Sequence, residues 1–340
     1  MYFPVLEEKN GKRQNYQQQY NLYMIKQIIF GVILTGIAPF CFGQLSWQNV
    51  DSLYQPLPKS FHVYKTESQM NGKANIAYYV EVDLKDKNLS FIADTSFNRR
   101  LTPNQFFEKN NQPILVVNTS FFSFATNHNL NVVVNNRSLL SYNIHSTALK
   151  GKDTLMYSHS FGSAMGISKN RKADVAWLFT DSMKRFSYAS QHIVKANNDS
   201  LNKIEFSTVR RNRSFKKWKM QTAVGGGPVL LQNGEIKISN NEEMKFAGKA
   251  IDDKHPRTGM GHTKDGKLIV LVIQGRFPFL AEGATLNQEA QIFKDLGCLE
   301  AINLDGGGSS CLLINGKETI KPSDAAGQRA VPAVFIINKL

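Results

Sequence analysis

The chain has 340 residues, of which 42% are hydrophobic and 20% are charged. This composition supports the core of one large domain or two ordinary ones, and it excludes a disordered, collagen-like or mainly membrane-embedded chain. Lysine and arginine number 41 against 27 aspartates and glutamates, a formal charge of +14. Such a balance favours anionic partners: phosphorylated sugars, acidic glycans, nucleic acid or a membrane surface.

The first 43 residues have the pattern of an export signal. Met24-Ile25-Lys26 carries one positive charge, an apolar run covers residues 28–42, and Gly43 completes a cleavage site before Gln44. The run is shorter than the roughly 20 residues of a membrane-spanning helix and fits a signal-peptide core. We expect residues 1–43 to be a signal peptide with an upstream extension before Met24, and the mature protein to be periplasmic or extracellular. An uncleaved anchor and a buried helix are the alternatives.

Export changes what the charge and the cysteines imply. Without residues 1–43 the charge is 37 − 25 = +12, and nucleic acid is no longer an expected partner. Cys298 and Cys311 remain, and they are either paired or buried free thiols. No Cys/His spacing is typical of a zinc site. We therefore expect neither a cofactor nor a bound metal, and no stable membrane span after cleavage.

In the first half of the mature chain the pattern predicts isolated elements. Residues 44–60 are expected to form an N-terminal arm and residues 61–340 a single domain. A β-rich run predicts a strand over residues 76–82, and a short apolar run predicts a buried strand over residues 114–117. Thr102-Pro103-Asn104-Gln105 is a capping box with proline at the first helical position, so a helix should begin there.

The last 120 residues give a clearer pattern. Asn233-Gly234 predicts a hairpin, because both residues tolerate the positive φ of a type I′ turn. A second capping box predicts a helix from Thr285 that ends at Gly297. The apolar run over residues 268–273 predicts a strand buried on both faces. With further strands over residues 301–304, 311–314 and 333–337, the fold class is α+β, a mixed, mostly antiparallel sheet flanked by a few helices.

Three glycine-rich segments stand out in this part: residues 225–228, 255–262 and 305–310. The second is expected to precede a strand, and the third to join two strands. Glycine lets backbone amides approach a ligand closely, and successive N–H groups form an anion-binding concavity. Asp305 and Arg257 add a carboxylate and a phosphate-binding fork. The simpler interpretation of each segment alone is a tight turn.

In their order along the chain these segments resemble those of the phosphodiester glycosidase family. The similarity covers roughly residues 76–337 and depends on five blocks: Val117-Asn118-Thr119-Ser120-Phe121-Phe122, Gly226-Gly227-Pro228-Val229-Leu230 with Asn233-Gly234, Pro256-Arg257-Thr258-Gly259-Met260-Gly261, Gly283-Ala284-Thr285-Leu286 leading to Ala301-Ile302-Asn303-Leu304-Asp305-Gly306-Gly307-Gly308-Ser309-Ser310, and Arg329-Ala330-Val331-Pro332. The ordered set is far more specific than any one block.

The resemblance implies hydrolysis of a sugar-1-phosphodiester at the anomeric carbon, with a phosphorylated sugar or glycan as substrate. Asp305 is then expected to be the catalytic carboxylate, as base or nucleophile, and Arg257 to bind phosphate as part of the catalytic set. The substrate-binding residues are expected to contribute amides, hydroxyls or side-chain hydrogen bonds: Asn118, Gly226, Gly227, His262, Gly307, Gly308, Ser309 and Arg329.

Two departures from the family pattern bear on the substrate. Thr119-Ser120 replaces a glycine pair, and Glu282 stands where the family often has a basic or small residue. Either could alter the choice of sugar, and Glu282 is the next candidate for the catalytic acid. Two other classes of function stay open: a phosphoesterase that cuts the P–O bond, and a non-catalytic glycan- or cell-wall-binding protein. The phosphoesterase would usually need a metal cluster.

Overall fold

The computed structural model describes residues 44–149 and 155–340, so the predicted signal peptide lies outside the described residues. No helix in the described part of the chain is long and apolar enough to cross a membrane. The strands are β1 Gln48–Asn49, β2 Phe61–Thr66, β3 Ala77–Asp83, β4 Leu89–Thr95, β5 Leu115–Asn118, β6 Val133–Asn135, β7 Ser138–Ser141, β8 Ser146–Ala148, β9 Tyr157–His159, β10 Ser163–Ser168, β11 Ala173–Phe179, β12 Ser187–Ser190, β13 Asn197–Asp199, β14 Lys216–Trp218, β15 Met220–Gly225, β16 Val229–Gln232, β17 Glu235–Ile236, β18 Arg257–Thr263, β19 Lys267–Ile273, β20 Cys298–Asn303, β21 Leu312–Ile314, β22 Lys317–Glu318 and β23 Ala333–Lys339.

Helices are few and short. The α-helices are α1 Pro103–Lys109, α2 Phe206–Arg211, α3 Asn240–Glu243 and α4 Leu286–Asp295, and 3₁₀ turns cover Asp51–Leu53, Gly248–Ile251 and Gly307–Ser309. Both predicted capping boxes are present, at Thr102 of α1 and Thr285 of α4. Gly297 follows α4 with φ +74°, as expected of a helix stop.

The strands form four sheets, and every pairing between described strands is antiparallel. The central sheet has the order β1-β2-β3-β19-β18-β20-β16-β17, and β22-β21-β5-β23-β4 forms a second sheet. The region whose strands the sequence did not order, residues 123–213, contributes most of the third sheet, β14-β12-β11-β10-β15-β6-β7, and all of the fourth, β13-β9-β8. The mostly antiparallel prediction is confirmed, and no parallel pair occurs within residues 44–149 and 155–340.

The central sheet is covered on both faces, as the unbroken apolar run of β19 predicted. Leu268, Val270 and Val272 belong to a large core cluster shared with the other sheets. Ile269, Leu271 and Ile273 point to the opposite face, where they pack in a cluster with Leu286, Ala290 and Phe293 of α4. The whole strand from Leu268 to Ile273 is at most 1% exposed. This rigid strand supports the edge of the sheet at which the candidate site lies.

One local prediction is confirmed and another needs adjustment. The Asn233-Gly234 hairpin forms between β16 and β17, with φ values of 55° and 78°. In the predicted arm, β1 pairs with β2 at the edge of the central sheet. Residues 255–262 were expected to precede a strand, but from Arg257 onward they belong to the strand β18 itself, which is paired on both sides with β19 and β20.

Candidate active site

The candidate site lies where four neighbouring strands of the central sheet begin or end at one edge. Arg257 at the start of β18 pairs with Ile273 at the end of β19. On the other side of β18, β20 ends at Asn303, and β16 begins beside it at Val229. Each of the three glycine-rich segments therefore reaches this edge, because antiparallel neighbours bring the end of one strand beside the start of the next.

Backbone hydrogen bonds join these segments to one another. The Asp305 N–H donates to Thr119 O at 2.7 Å, which brings in the segment after β5. Gly307 N–H donates to Pro256 O at 2.8 Å, and Gly227 N–H donates to Asn303 O at 2.7 Å. Blocks separated by up to 187 positions in the chain thus meet around the loop that follows β20.

Asp305 is the carboxyl at the centre of this loop, and it is partly buried. Burial raises its pKa from 3.8 to about 7, because removal from water disfavours the charged form. The Ser309 hydroxyl, the positive charge of Arg329 and the Gly306 N–H each oppose that rise. A carboxyl whose pKa lies near neutral pH is suited to act as a base or a nucleophile.

The glycines of this loop make room for two guanidinium groups. A Cβ atom on Gly308 would collide with the guanidinium of Arg329, and one on Gly307 would lie 2.9 Å from Nη2 of Arg276. Asp324 fixes the orientation of Arg329, accepting from its Nε at 2.7 Å. Gly307 had been expected to offer its amide to the ligand, but that N–H donates to Pro256 O. Gly307 and Gly308 thus contribute space for two cations.

Gly226 and Gly227 were also expected to donate amides, and the structure corrects this. Their N–H groups donate to Ser163 O at 3.1 Å and to Asn303 O at 2.7 Å. Gly227 has φ +114°, and a Cβ there would lie 2.5 Å from Cε of Lys245 and would collide with the carboxylate of Glu243. The segment therefore admits two charged side chains, Glu243 at the end of α3 and Lys245 just after it.

The Glu243 carboxylate holds this part of the site rigid. It is 3% exposed and accepts hydrogen bonds from Ser163 (N and Oγ), Trp177 Nε1, Val229 N and Ser239 Oγ, at 2.5–3.1 Å. A buried carboxylate with this many donors is fully satisfied. It stabilises the entry to β16 and has no free lone pair directed at a substrate.

The Arg257 side chain is only 3% exposed, so it is more deeply buried than an arginine that binds phosphate at the protein surface would be. Its Nε donates to Ala284 O at 2.8 Å and its Nη2 to Asp253 O at 3.0 Å, and its guanidinium lies 5.8 Å from the centre of the Phe246 ring. Burial lowers its pKa, and the charges of Glu289 and Asp253 oppose this. Arg329, not Arg257, is the arginine whose charge acts on Asp305.

Asn118 is fully buried and hydrogen-bonded to protein, which corrects its expected contact with substrate. Its Nδ2 donates to Asp305 O at 2.5 Å, and its Oδ1 accepts from Thr258 Oγ1 at 3.0 Å and Cys311 N at 3.1 Å. Asn118 therefore holds the backbone of the Asp305 loop in position through its hydrogen bond to Asp305 O.

Two further predicted residues lie away from the cluster. His262 lies near the far end of β18 from Arg257, and its Nε2 contacts Glu300 Oε2 at 3.0 Å. The structure gives no support to a substrate contact by His262. Glu282, the alternative acid, pairs with Lys254 at 3.0 Å, and this ion pair is partly exposed. The two cysteines, Cys298 and Cys311, are buried free thiols.

Besides Arg276, which lies against Gly307, three residues of the site were not found from the sequence. Glu289 of α4 is fully buried beside Gly259, and no described residue donates a hydrogen bond to either carboxyl oxygen. Burial raises its pKa to about 8, opposed by the charge of Arg257. His255 has a buried Nδ1 with no protein partner, and burial together with the charges of Arg257 and Arg276 lowers its pKa. The third is Lys245, beside Gly227.

Polar atoms without a protein partner are concentrated around this edge. Besides Glu289 and His255 they include Thr119 Oγ1, Ser120 Oγ and Asn303 Oδ1, each on a residue at most 2% exposed. Buried polar groups are nearly always hydrogen-bonded in proteins, so such a concentration indicates a place where a polar ligand or water binds. Within the described residues, no group of three or more His, Cys, Asp or Glu side chains is arranged to hold a metal ion.

Sequence comparison identifies the class of protein to which this site belongs. A family model described as phosphodiester glycosidase matches residues 111–338. The chain belongs to the phosphodiester glycosidase family.

Individual relatives are distant and match only in part. An uncharacterised prophage-derived protein of Bacillus subtilis is 35% identical over 86 residues, which cover 25% of this chain and 13% of that protein. The N-acetylglucosamine-1-phosphodiester alpha-N-acetylglucosaminidase of Mus musculus is 31% identical over 103 residues, covering 28% of this chain and 20% of the enzyme. The matches thus span no more than a fifth of these relatives.

Solved structures share the fold over most of the chain. The catalytic domain of the zebrafish N-acetylglucosamine-1-phosphodiester alpha-N-acetylglucosaminidase aligns with a TM-score of 0.56 and 20% identity, covering 87% of this chain and 89% of that one. A hypothetical protein from Synechocystis gives the same TM-score at 13% identity, covering 86% of this chain and 63% of that one.

Proposed function

We propose that the protein is an exported phosphodiester glycosidase that hydrolyses a sugar-1-phosphodiester at the anomeric carbon, releasing free sugar and a phosphomonoester. Family membership supports the reaction class. The observation that carries the proposal is Asp305, whose pKa is raised to about 7 beside the guanidinium of Arg329. Export is proposed from the apolar pattern of residues 28–42 alone.

The leaving group explains why one carboxylate with several cations suits this reaction. Ordinary glycosidases need a second carboxyl to protonate a poor alkoxide leaving group. A phosphomonoester leaves readily without that proton, because its second pKa is about 6. The site must instead stabilise negative charge on phosphate and place a carboxylate near the oxocarbenium-like carbon. The cluster around Asp305 offers both kinds of group.

The roles follow from the positions of the side chains. Asp305, in its ionised form, stabilises or attacks the anomeric carbon or activates water for that attack. Arg276 and Arg329, which lie against Gly307 and Gly308, bind the phosphate and stabilise the leaving group. Arg257 adds positive charge from the buried side, and the backbone held by Asn118 keeps the Asp305 loop in place.

A substrate panel tests this proposal. The purified protein is incubated with N-acetylglucosamine 1-phosphodiesters, with UDP-N-acetylglucosamine and with the corresponding 6-carboxylate sugar diesters, and the products are identified by mass. The proposal predicts free sugar plus an intact phosphomonoester from at least one substrate. Release of sugar 1-phosphate would instead support a phosphoesterase, and binding of a diester without turnover would support a glycan-binding protein.

A further inference from the structure

Lys245 is a cation at the candidate site that the protein itself does not neutralise. Its side chain is partly buried, and its Cε would lie 2.5 Å from a Cβ atom placed on Gly227. Within residues 44–149 and 155–340, no carboxylate oxygen is found within 4.0 Å of its ammonium. The acid whose charge acts on Lys245 is Glu243. Its carboxylate oxygens already accept hydrogen bonds from buried donors.

The position of Lys245 is set by the backbone and by aromatic contacts. Helix α3 ends at Met244 with φ +55°, and Asn240 then fixes the next turn, accepting from Phe246 N at 2.9 Å and donating to Phe246 O at 2.8 Å. The Lys245 ammonium lies 5.5 Å from the centre of the Phe121 ring. Phe121 and Phe246 meet edge to face with ring centres 5.9 Å apart.

Arg257 completes this arrangement from the other side of Phe246. Its guanidinium lies 5.8 Å from the centre of that ring. The four side chains contact one another in the order Lys245, Phe121, Phe246 and Arg257, so that a cation lies at each end of two rings. We name this cluster the Lys245–Arg257 pole. Its members come from three segments of the chain, residues 121, 245–246 and 257. An ammonium held out of water without a partner is costly, so an anion that binds at this pole gains a strong interaction.

Lys245 stands in a different loop from the arginines that serve the phosphodiester. Its Cε lies against Gly227, before β16, whereas Arg276 and Arg329 lie against Gly307 and Gly308, in the loop after β20.

The ion pairs also set Lys245 apart. Arg329 is paired with Asp324, whereas Arg276, Arg257 and Lys245 form no ion pair among the described residues. The charges of Glu289 and Asp253 act on Arg257, and that of Glu243 acts on Lys245. A phosphodiester brings one negative charge, so a second anion can pair with Lys245.

We infer that the substrate carries a second negatively charged group, a carboxylate or phosphate, which binds at the Lys245–Arg257 pole beside Phe121 and Phe246. This inference deepens the proposed function and rests on it. The second charge has two sources, a carboxylate on the sugar or a further phosphate beyond the diester. Lys245 is the specificity-determining residue, because its ammonium forms no ion pair and no side-chain hydrogen bond within the described residues.

Kinetics on matched substrates test the inference. A 1-phosphodiester of N-acetylglucosamine is compared with its 6-carboxylate counterpart and with UDP-N-acetylglucosamine, which carries a second phosphate. Wild-type protein is expected to show a kcat/KM at least about tenfold higher for one of the two more acidic substrates than for the neutral-sugar diester. The preferred acidic substrate identifies the source of the charge.

The variant Lys245→Met keeps the length of the side chain and removes its charge. It is expected to reduce that preference to about twofold or less, mainly through KM, while Lys237→Met, at an exposed lysine of the nearby hairpin, keeps the wild-type preference. Equal kcat/KM values for neutral and acidic substrates in the wild type would overturn the inference and leave the proposed reaction intact. A Lys245→Met variant that loses activity equally on all substrates would overturn it as well.

A binding measurement separates failure of the inference from failure of the proposed reaction. If no substrate is hydrolysed, the proposed reaction is wrong. Calorimetry with glucose 1-phosphate, glucuronic acid 1-phosphate and UDP-glucose then tests binding at the Lys245–Arg257 pole without turnover. At least tenfold tighter binding of one of the two more acidic ligands that disappears in Lys245→Met supports the pole, and equal binding of all three ligands overturns it.

Discussion

Asp305→Asn is expected to lower kcat by about 10³-fold or more while the substrate still binds, because the substitution removes the charge that acts at the anomeric carbon. Asparagine keeps the size of the side chain. Asp305 is only partly buried and forms no ion pair within 4.0 Å among the described residues, so the fold should be preserved. Steady-state kinetics and a thermal unfolding curve measure the two effects separately.

The pH dependence gives a second readout of the same residue. A base or nucleophile must be deprotonated, and the pKa of Asp305 is raised to about 7, so kcat/KM should fall as the pH drops below 7. Asp295→Asn, at an exposed aspartate at the end of α4, is the matched control and should leave activity unchanged. A folded Asp305→Asn variant with near-wild-type kcat would mean that Asp305 only caps its glycine turn, and Glu289 would become the first carboxyl to test.

Arg257→Ala is expected to raise KM by more than tenfold and to lower the free energy of unfolding by about 3 kcal/mol or more. The side chain is 3% exposed and donates to two backbone carbonyls, and a hydrogen bond from a charged group contributes roughly 1.5–3 kcal/mol. The burial of Arg257 is the reason why stability as well as substrate binding should suffer.

Arg257→Lys tests the activity without the full loss of stability, because lysine keeps the charge and loses the fork of donors. Arg210→Ala, at an exposed position of α2, is the matched control for chemical denaturation. If Arg257→Ala unfolds at the same denaturant concentration as wild type and keeps its KM, Arg257 contributes to neither the core nor the site.

Local signals in the sequence predicted the supporting elements well. The capping boxes at Thr102 and Thr285 satisfy the first helical N–H groups whatever surrounds them, so they mark the starts of α1 and α4 reliably. The Asn233-Gly234 turn and the doubly buried β19 depend on equally short-range chemistry. The order of the family blocks predicted that distant segments contribute to one function, and the hydrogen bonds around Asp305 join those segments.

The function of the glycines could not be predicted, because it depends on side chains far away in the chain. Gly227, Gly307 and Gly308 were expected to donate amides, a role that the residue type permits. The N–H groups of Gly227 and Gly307 donate to protein carbonyls, and all three glycines give space to the side chains of Lys245, Arg276 and Arg329. Which long side chain lies against which glycine follows from tertiary packing, and a single sequence holds no local signal of it. Amide donation and close packing need the same residue type, so sequence could not separate them.

Asn118 and Glu289 show the same limit for polar residues. An asparagine that ends a strand could contact a ligand or its own neighbours, and Asn118 does the latter for the Asp305 loop. Glu289 lies on the apolar face of α4 and is fully buried beside Gly259. Its neighbours in the helix pattern, Leu286, Ala290 and Phe293, predicted a core-facing stripe and gave no sign that this stripe includes an acid.

Hydrolysis in oxygen-18 water tests the central claim, attack at the anomeric carbon, most directly. The label is read on the phosphomonoester by mass, because the anomeric oxygen of a free sugar exchanges with water. Cleavage of the bond between the anomeric carbon and oxygen predicts a phosphomonoester without the label, with the solvent oxygen entering the sugar. A phosphomonoester that carries oxygen-18 would show attack at phosphorus and would contradict the assignment of Asp305 and the arginines around it.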